Sequence, residues 1–494
     1  MLFNSYIFLF VFLPAALLIF YGLRRWGFLN ASVSSLMLAS VAFYTYWRPS
    51  DTFILVGTII VNFFVAKNLG RVSEKRSKLL LIFGISVNLG LLIYFKYFDF
   101  LATNVAAVGG INYVARHIVM PIGISFFTFT QLAYLVDCYR SRTYEANFIT
   151  YALFVTVFPH LIAGPIIHHA QMRPQFARLR REPVDANLIT MGMVIFVVGL
   201  AKKVLLADNL VGGANLVFNA ADHGVHLSTA SAWIGTIAYT LQIYFDFSGY
   251  SDMAIGLALL FGLCLPVNFN SPYKSTSIID FWRRWHISLS TWLRDYLYIP
   301  LGGNRGGEFS RLRNVFITFL LGGLWHGAGW TFVIWGALHG AYVVVNHLMI
   351  KGAKPTKAPG RFTVAGKRIA VMLLVMIAWV FFRATSVAGA MGIVGSMFTV
   401  QPGTVLAGLD MNAYFWMLLG GAIALFAPST QQLTRYTAKP TDPLKLPEGS
   451  LLGSLRAGNL AYSASPAVAL ICGVMFAAAL ACIWRPAIFI YFNF

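Results

Sequence analysis

With 58% hydrophobic and only 11% charged residues among 494, the sequence is far more apolar than a soluble protein, whose domains carry about 25% charged residues. Its apolar residues form about eleven or twelve uncharged runs, such as 7–23 and 79–95, close to the roughly 17–25 residues that cross a bilayer. The sequence therefore predicts an all-α, polytopic transmembrane helical bundle and excludes an ordinary soluble domain.

The net charge of +20 would suit a nucleic-acid-binding protein, but the distribution of that charge argues against one. Residues 67–78 hold five Lys or Arg against one Glu, residues 351–368 hold six against none, and residues 384–410 contain neither Lys nor Arg. This alternation is typical of membrane proteins, in which cytoplasmic loops are rich in Lys and Arg. It predicts that the two basic segments are cytoplasmic, in contact with membrane lipids, and that 384–410 and both termini lie outside. Because no basic segment precedes the first apolar run, we expect an uncleaved first helix.

Isolated polar residues in the N-terminal half predict hydrogen bonds between helices. Asn62 lies in the third predicted helix, and residues 119–136 form an unusually polar span in which Thr128 and Gln131 share a face. Two explanations of that face stay open, an interhelical contact and the lining of a tunnel. Two or three C-terminal helices are predicted, at 369–382, 411–427 and 466–484, with a polar loop at 428–465.

Residues 158–169 contain two prolines and a glycine in an apolar run, so we expect a re-entrant or buried segment rather than a spanning helix. Its three histidines match no metal-ligand spacing, and the four cysteines of the chain are equally scattered. The sequence therefore predicts structural histidines here, and neither a metal site nor a disulfide. The three histidines are His160, His168 and His169.

Residues 233–265 are too long for one spanning helix, and a bend is predicted at 248–249. Asp246 and Asp252 would lie about 240° apart on a helix, so their spacing does not indicate a catalytic carboxylate pair. A structural role is predicted for Asp252, while a structural and a functional role stay open for Asp246. A buried aspartate needs a partner. The partners considered are Arg283 and Arg284.

The first of two key histidines, His286, lies in the polar, basic and aromatic segment 280–296. If this segment is one helix, four apolar side chains fall within about 80° of one another, and His286 lies where this edge meets a basic face. We expect a helix at the membrane interface with His286 directed at a polar cavity. The apolar edge consists of Trp282, Trp285, Leu289 and Trp292, and the basic face of Arg283, Arg284 and Arg294.

The second, His326, lies within a predicted helix at 314–330 that follows a cationic, glycine-rich loop at 301–307. The loop, with Arg305, could cradle phosphates through its backbone N–H groups and the arginine, although it does not match the P-loop spacing. Glycines at 322, 323, 327 and 329 remove side chains around His326. They would allow either close helix packing or room for a substrate. His339 would lie about 220° further round a continuous helix, so we expect it not to share a face with His326.

Taken together, these segments resemble the membrane-bound O-acyltransferase (MBOAT) family, in its bacterial alginate O-acetyltransferase (AlgI) type. The resemblance runs nearly from end to end, its longest and most specific motifs are 281–298 and 322–327, and neither histidine departs from the pattern. Further segments that carry it are 8–14, 121–129, 158–165, 242–256, 302–305, 379–384 and the aromatic C-terminus.

The resemblance implies a helical bundle with a central funnel or tunnel, forming a single membrane domain over 1–494. Within it, N-terminal helices would occupy 1–137, a catalytic core 138–350 and C-terminal helices 351–494. Relatives transfer acyl groups to periplasmic or cell-surface acceptors, often through a partner protein of the hydrolase (SGNH) type. The resemblance thus implies a bacterial inner-membrane enzyme that acetylates an exported polysaccharide. Alginate is favoured as the acceptor, with peptidoglycan, cellulose and teichoic acid as alternatives.

The resemblance also assigns His326 as the essential catalytic residue and His286 as the second active-site position. A buried imidazole tends to stay neutral, so His326 is predicted to be the general base, although an acyl relay would use the same residue. His286 would orient the acceptor or the thioester carbonyl, and the expected co-substrate is acetyl-CoA, without a tightly bound cofactor. Further substrate- or donor-binding candidates are Asp280, Trp282, Arg283, Arg284, Trp285, Ser290, Arg305, Trp325 and Asp246.

Two other classes of function predict different behaviour of His326. A polysaccharide or lipid transporter makes no covalent bond and should tolerate its replacement by glutamine in part. A scaffold for an exopolysaccharide machine should tolerate replacement of both histidines. An acyltransferase should lose essentially all turnover.

Overall fold

A computed structural model describes residues 1–351, 360–399, 411–437, 466–483 and 489–490. All the secondary-structure elements within these ranges are helices, which confirms the predicted all-α class. The α-helices are α1 Leu13–Arg25, α2 Leu29–Thr45, α3 Pro49–Leu69, α4 Glu74–Leu92, α5 Phe98–Gly109, α6 Ile124–Ser141, α7 Phe148–Thr156, α8 Phe158–Leu161, α9 His169–Leu179, α10 Ala186–Ala201, α11 Asp208–Asp222, α12 Thr229–Leu260, α13 Ile278–Trp282, α14 Ile287–Leu293, α15 Gly307–His326, α16 Trp330–Ile350, α17 Arg361–Arg383, α18 Val387–Phe398, α19 Met411–Phe426, α20 Thr430–Thr434 and α21 Pro466–Cys482. Short π-helical turns adjoin several of them, at Phe8–Phe12, Ile93–Tyr97, Lys202–Ala207 and Arg294–Tyr298.

Several of these helices could cross a bilayer, so the chain is a multi-pass membrane protein. In the described part of the chain, six helical stretches are long and apolar enough, and four shorter apolar helices accompany them. The predicted total of eleven or twelve spans and the central tunnel stay predictions. The six stretches are Phe8–Arg25, Pro49–Leu69, Glu74–Gly109, Ala186–Asp222, Trp330–Ile350 and Arg361–Arg383. The shorter helices are Leu29–Thr45, Val387–Phe398, Ala413–Phe426 and Pro466–Cys482.

Local chemistry sets many of the helix ends. Pro49 opens α3, where its missing N–H costs no helical hydrogen bond. Gly110 ends α5 in the left-handed region at φ +65°. Ser277 caps α13 by accepting a hydrogen bond from the Asp280 N–H at 3.0 Å, and Asn147 caps α7 in the same way.

The described chain divides into two compact units. The first comprises Met1–Leu200, Tyr250–Val267 and Thr430–Ile483, and the second comprises Ala201–Gly249, Asn268–Ser429 and Trp484–Phe494. The predicted single domain with three consecutive segments stays a prediction.

The first unit contains a buried amide network, made of Asn62 on α3, Asn88 on α4 and Gln131 on α6. Asn62 donates to the side-chain oxygens of Asn88 at 3.1 Å and Gln131 at 2.9 Å, and Asn88 donates back at 2.8 Å. Gln131 in turn donates to the Thr58 hydroxyl at 3.0 Å. The predicted interhelical role of Asn62 is confirmed. For the polar face of α6, these bonds favour a contact between helices over a tunnel lining.

The segment 158–169 is buried and irregular, as predicted. After the short α8 it passes through a turn at 162–164 and then as irregular chain to α9, and the His160 ring lies 3.0 Å from the Phe154 carbonyl oxygen. His169 has a partner that its sequence neighbourhood did not predict, because Glu145 lies 3.6 Å from its Nε2. These contacts support structural roles for His160 and His169.

The helix α12 corrects one prediction. It runs without interruption for 32 residues, so the stretch predicted to be too long for one helix forms a single helix, and a bend of its axis at 248–249 stays a prediction. Ser248 and Gly249 are both buried, and tertiary packing outweighs the roughly 1 kcal/mol by which a glycine disfavours a helix interior.

The two aspartates of α12 have partners other than the predicted arginines. In the second unit, Asp246 pairs with Lys203 at 2.7 Å, and Lys203 also pairs with Asp208 at 2.7 Å. In the first unit, Asp252 accepts hydrogen bonds from Thr430 at 2.6 Å and Gln431 at 2.8 Å. The proposed pairing of a buried aspartate with Arg283 or Arg284 is therefore wrong. Lys203 lies 43 residues before Asp246 in the sequence, so no local pattern could identify it.

Two further boundaries differ from the predicted ones. The span predicted at 119–136 begins as α6 only at Ile124, because Pro121 and the left-handed Gly123 (φ +71°) precede it. The predicted outward segment 384–410 contains α18, which the sequence analysis missed. Residues 352–359 of the second basic segment, 400–410 of the outward segment, 438–465 of the polar loop and 491–494 of the C-terminus lie outside the described residues.

Candidate active site

His326 is the last residue of α15, not the middle of a longer helix. The predicted helix at 314–330 is interrupted because Gly327 and Gly329 are extended, with φ of −162° and −167°. The next helix, α16, begins at Trp330, so His326 lies at the turn of a helical hairpin within the second unit.

The glycines of this hairpin serve close packing. A methyl group built on Gly323 would lie 2.9 Å from the Gly336 Cα and would overlap the Phe332 carbonyl oxygen. A methyl group on Gly327 would overlap the Phe332 ring. Of the two explanations that the sequence left open, packing therefore explains Gly323 and Gly327. The effect is to fix α15 tightly against α16 beside His326.

Aromatic rings surround His326, which is only 4% exposed. Ring centroids lie 4.8 Å away for Trp325, 5.0 Å for Trp335 and 5.0 Å for Phe382. All three rings meet the imidazole at angles of 68° to 84°, which are the edge-to-face arrangements that aromatic pairs favour. The imidazole is therefore held in one place by packing.

His286 lies in a break between two short helices, which corrects the prediction of one amphipathic helix over 280–296. α13 ends at Trp282, α14 begins at Ile287, and His286 itself has a left-handed backbone with φ +43°. The break is stabilised by Asn268, whose carbonyl oxygen accepts the Ile287 N–H at 3.0 Å. The Asn268 side-chain oxygen accepts the N–H and hydroxyl of Ser288 at 3.1 and 2.7 Å. The four apolar side chains assigned to the helix edge are nevertheless buried.

The surroundings of His286 fix its protonation. Its Nδ1 lies 3.3 Å from the side-chain oxygen of Asn268, which places a proton on Nδ1 and leaves Nε2 as the basic nitrogen. The ring is fully buried against Phe247 at 4.7 Å. Burial lowers the pKa of His286 to about 3, so the ring is neutral at neutral pH.

The two histidines share a neighbour. The Trp325 ring lies 6.4 Å from His286 and 4.8 Å from His326, by centroids. We use the term ring cluster for the buried rings that continue from this pair. It comprises His286, Trp325, His326, Trp335, His339 and Trp282. The structure thus places the two predicted active-site histidines beside one indole ring, that of Trp325.

His339 belongs to the same cluster, which the sequence analysis did not predict. It lies on α16 with its ring 4.8 Å from Trp335, and the Trp282 indole donates to its Nδ1 at 3.2 Å. The expectation treated His326 and His339 as points on one helix. The chain instead reverses direction after His326, so that α16 runs back along α15. The rings of His326 and His339 therefore both contact the Trp335 ring.

The remaining site candidates fall into two groups. Trp285 is buried and stacks on Phe281 at 5.6 Å, and the Ser290 hydroxyl lies 3.5 Å from the Trp285 carbonyl oxygen. The charged candidates other than Asp246 are partly or fully exposed. Among them, Asp280 pairs with Arg284 at 2.8 Å, and Arg283 and Arg305 are exposed. Roles of these residues in donor binding stay predictions.

No group of three His, Cys, Asp or Glu side chains within the described ranges is placed to hold a metal ion. The chemistry that the site itself offers is that of imidazole and indole groups in a buried aromatic enclosure. Such a site can move a proton and stabilise a developing negative charge.

The family model of the membrane-bound O-acyltransferases matches residues 40–387, which include every residue of the ring cluster. The chain belongs to the membrane-bound O-acyltransferase family. Membership makes the chain an acyltransferase.

Relatives within the MBOAT family are similar over most of their length. A peptidoglycan O-acetyltransferase of Helicobacter pylori is 42% identical over 80% of each chain. A probable alginate O-acetylase AlgI of Pseudomonas aeruginosa is 43% identical over 81% of this chain and 75% of its own. A probable alginate O-acetylase AlgI of Azotobacter vinelandii is 41% identical over 94% of this chain and 92% of its own.

Proposed function

We propose that this membrane O-acyltransferase acetylates an exported polysaccharide, with an alginate-like exopolysaccharide as the favoured acceptor. The acetyl group comes from acetyl-CoA in the cytoplasm, and the acceptor lies on the periplasmic side of a bacterial inner membrane. Both termini face that side, and a periplasmic partner of the hydrolase (SGNH) type completes the transfer to the polymer. The observation that carries the proposal is the placement of two buried histidines, His286 and His326, against one indole ring.

The chemistry that we assign to the pair needs no metal ion. His326 accepts the proton of the attacking hydroxyl group as general base, and Nε2 of His286 accepts a hydrogen bond that orients the acceptor. Both roles require a neutral imidazole, and the protonation of His286 derived above meets that requirement for its part.

The comparison with relatives also supports peptidoglycan as a second candidate acceptor. The relative named for peptidoglycan O-acetylation and that named for alginate O-acetylation from Pseudomonas are 42% and 43% identical to this chain. Identity therefore does not separate the two acceptors, although the alginate-named relative from Azotobacter aligns over more of the chain.

One experiment tests the reaction and the acceptor together. A deletion strain is complemented with wild type, His326→Ala or the surface control His223→Ala, at matched protein levels in the membrane. Ester-linked acetate is then measured separately on purified exopolysaccharide and on purified peptidoglycan. We expect His326→Ala to lose at least about 100-fold of the acetate, as for removal of a general base, and His223→Ala to retain it.

The polymer that loses acetate identifies the acceptor class. Acetate retained by His326→Ala on both polymers would contradict the catalytic assignment. Acetate lost from peptidoglycan alone would replace the favoured acceptor with the second.

A further inference from the structure

Two buried nitrogen donors lie beside His326 on α16. Trp335 and His339 are four residues apart and therefore on one face of the helix, with ring centroids 4.8 Å apart. Trp335 is 2% exposed and His339 is fully buried. The pair is thus a fixed feature of the hairpin and not part of a surface.

The hydrogen bond from Trp282 determines which nitrogen of His339 carries the proton. The Trp282 indole N–H donates to Nδ1, and a neutral imidazole that accepts at one nitrogen carries its proton at the other. Nε2 of His339 is therefore a donor, as Nε1 of Trp335 always is. Both nitrogens are neutral donors within the same group of packed rings.

Neither donor has an acceptor within the described part of the chain. Burying a donor without an acceptor carries a large penalty, and most buried polar groups in proteins are hydrogen-bonded. Trp282 shows that an indole in this ring cluster can be satisfied by a neighbour, because its own N–H reaches His339. Two adjacent donors that lack such an acceptor point to a ligand oxygen.

The position of that oxygen follows from the contact with His326. The Trp335 ring lies 5.0 Å from the imidazole and nearly perpendicular to it, at 84°. The packing of Gly323 against Gly336, the residue after Trp335, fixes this distance between α15 and α16. A group that reacts at His326 is therefore next to the Trp335 ring, and His339 lies on the same helix with its ring 4.8 Å from that of Trp335.

We propose that Trp335 Nε1 and His339 Nε2 form an oxyanion site for the carbonyl group of the acyl donor during transfer. This inference rests on the proposed function, because it needs an acyl thioester at His326. The acceptor hydroxyl oxygen forms a bond to the carbonyl carbon while its proton passes to His326. The carbonyl π electrons move to the oxygen, which the two N–H groups stabilise. When the C=O bond re-forms, the C–S bond breaks, and the thiolate leaves with the proton from His326.

Neutral donors suit this step in an apolar site. They bind the negatively charged oxygen of the intermediate more strongly than the ground-state carbonyl, so their effect appears in the rate of the chemical step. They also place no permanent charge in the membrane, where an unpaired cation would be costly.

The test compares two tryptophans that pack in the same place. Trp335→Phe removes the donor next to His326 and retains an aromatic ring. Trp379→Phe is the matched control, since Trp379 is equally buried and packs on Trp335 at 6.0 Å and Phe382 at 5.3 Å, while its own indole N–H interacts with Tyr273. For the second donor, His339→Gln retains an N–H group and His339→Leu removes it. Membranes of the complemented strain, with the periplasmic fraction added back to supply the partner protein, are assayed for release of CoA from acetyl-CoA with oligomannuronate as acceptor.

Loss of one oxyanion donor costs roughly 100- to 1,000-fold in kcat. We expect Trp335→Phe and His339→Leu to lower kcat by about 100-fold with KM for acetyl-CoA changed less than about threefold. Trp379→Phe and His339→Gln should stay within about tenfold of the wild-type kcat. The inference is overturned if Trp335→Phe retains kcat as well as Trp379→Phe, or if its loss is confined to KM.

The same variants in the complemented strain separate this inference from the proposed function. If wild type restores acetate on the polymer but releases no CoA from acetyl-CoA, the donor assignment fails. In that case the oxyanion site is tested by the acetate content of the polymer. Acetate should be lost in Trp335→Phe and retained in Trp379→Phe at equal protein level. If wild type restores no acetate on either polymer, both the proposed function and the oxyanion site fail.

Discussion

The amide network of the first unit and the ring cluster of the second are both buried and both polar, yet they satisfy their hydrogen bonds differently. In the network, polar side chains are hydrogen-bonded to other polar side chains: Asn62 and Asn88 donate to each other, Asn62 also donates to Gln131, and Gln131 donates to a threonine. In the ring cluster, histidines pack mainly against the edges of aromatic rings. The first arrangement stabilises helix contacts, and the second gathers imidazole and indole rings in one place. The two regions should therefore respond differently to mutation.

The largest effect expected within this comparison is on activity. His286→Asn keeps an N–H group that can reach Asn268 and suits the left-handed backbone, but it removes Nε2. We expect acetyl transfer to fall about 100-fold, as for loss of an acid–base or orienting group. Transfer is measured as polymer acetate per membrane-inserted protein, and thermal unfolding in detergent serves as the control. Normal activity with a normal melting curve would remove His286 from the site.

The next effect is on stability and concerns the network. Asn62→Leu leaves the side chains of Asn88 and Gln131 without their shared partner, and we expect a loss of about 1–2 kcal/mol of unfolding free energy. Transfer per folded molecule should remain close to wild type. Unfolding by denaturant in detergent and the acetate assay measure the two quantities on one sample. A variant that is fully stable but inactive would reverse the assignment of roles.

The smallest effect is a pH dependence that only the ring cluster should show. The folded-state pKa of His286, about 3, lies below its unfolded value of about 6.5, so the unfolded chain binds the proton more readily. Its contribution to stability is complete above pH 6.5 and is lost as the pH falls toward 3. Wild type should lose about 1 kcal/mol more than His286→Asn between pH 6.5 and 5.5. Equal losses in the two proteins would show that the ring titrates normally.

The sequence predicted the family and the all-α class of this protein better than its helix boundaries. The interhelical role of Asn62 could also be predicted, because isolated polar residues in apolar helices need partners. The catalytic roles of the two histidines stay predictions. The continuity of α12 and the break at His286 could not be predicted, since both depend on packing against residues distant in the chain. Asn268 holds the break, and Lys203 rather than a nearby arginine pairs with Asp246.

His339 shows the same limit at the site itself. Its spacing from His326 predicts separate helix faces only if one helix continues across Gly327–Gly329. The extended glycines reverse the chain, and a third histidine joins the cluster. A turn signal in the Gly-Ala-Gly sequence at 327–329 was the available clue.

The left-handed backbone of His286 has a consequence for how this sequence can change over time. Asparagine and glycine adopt that conformation more easily than most residues, so they are the substitutions that the local fold accepts best. Selection for abundance in the membrane alone would let codon 286 drift toward them. Under the proposed role of His286, selection for acyl transfer would retain the imidazole against that drift. On that proposal, selection for foldability and selection for catalysis favour different residues at position 286.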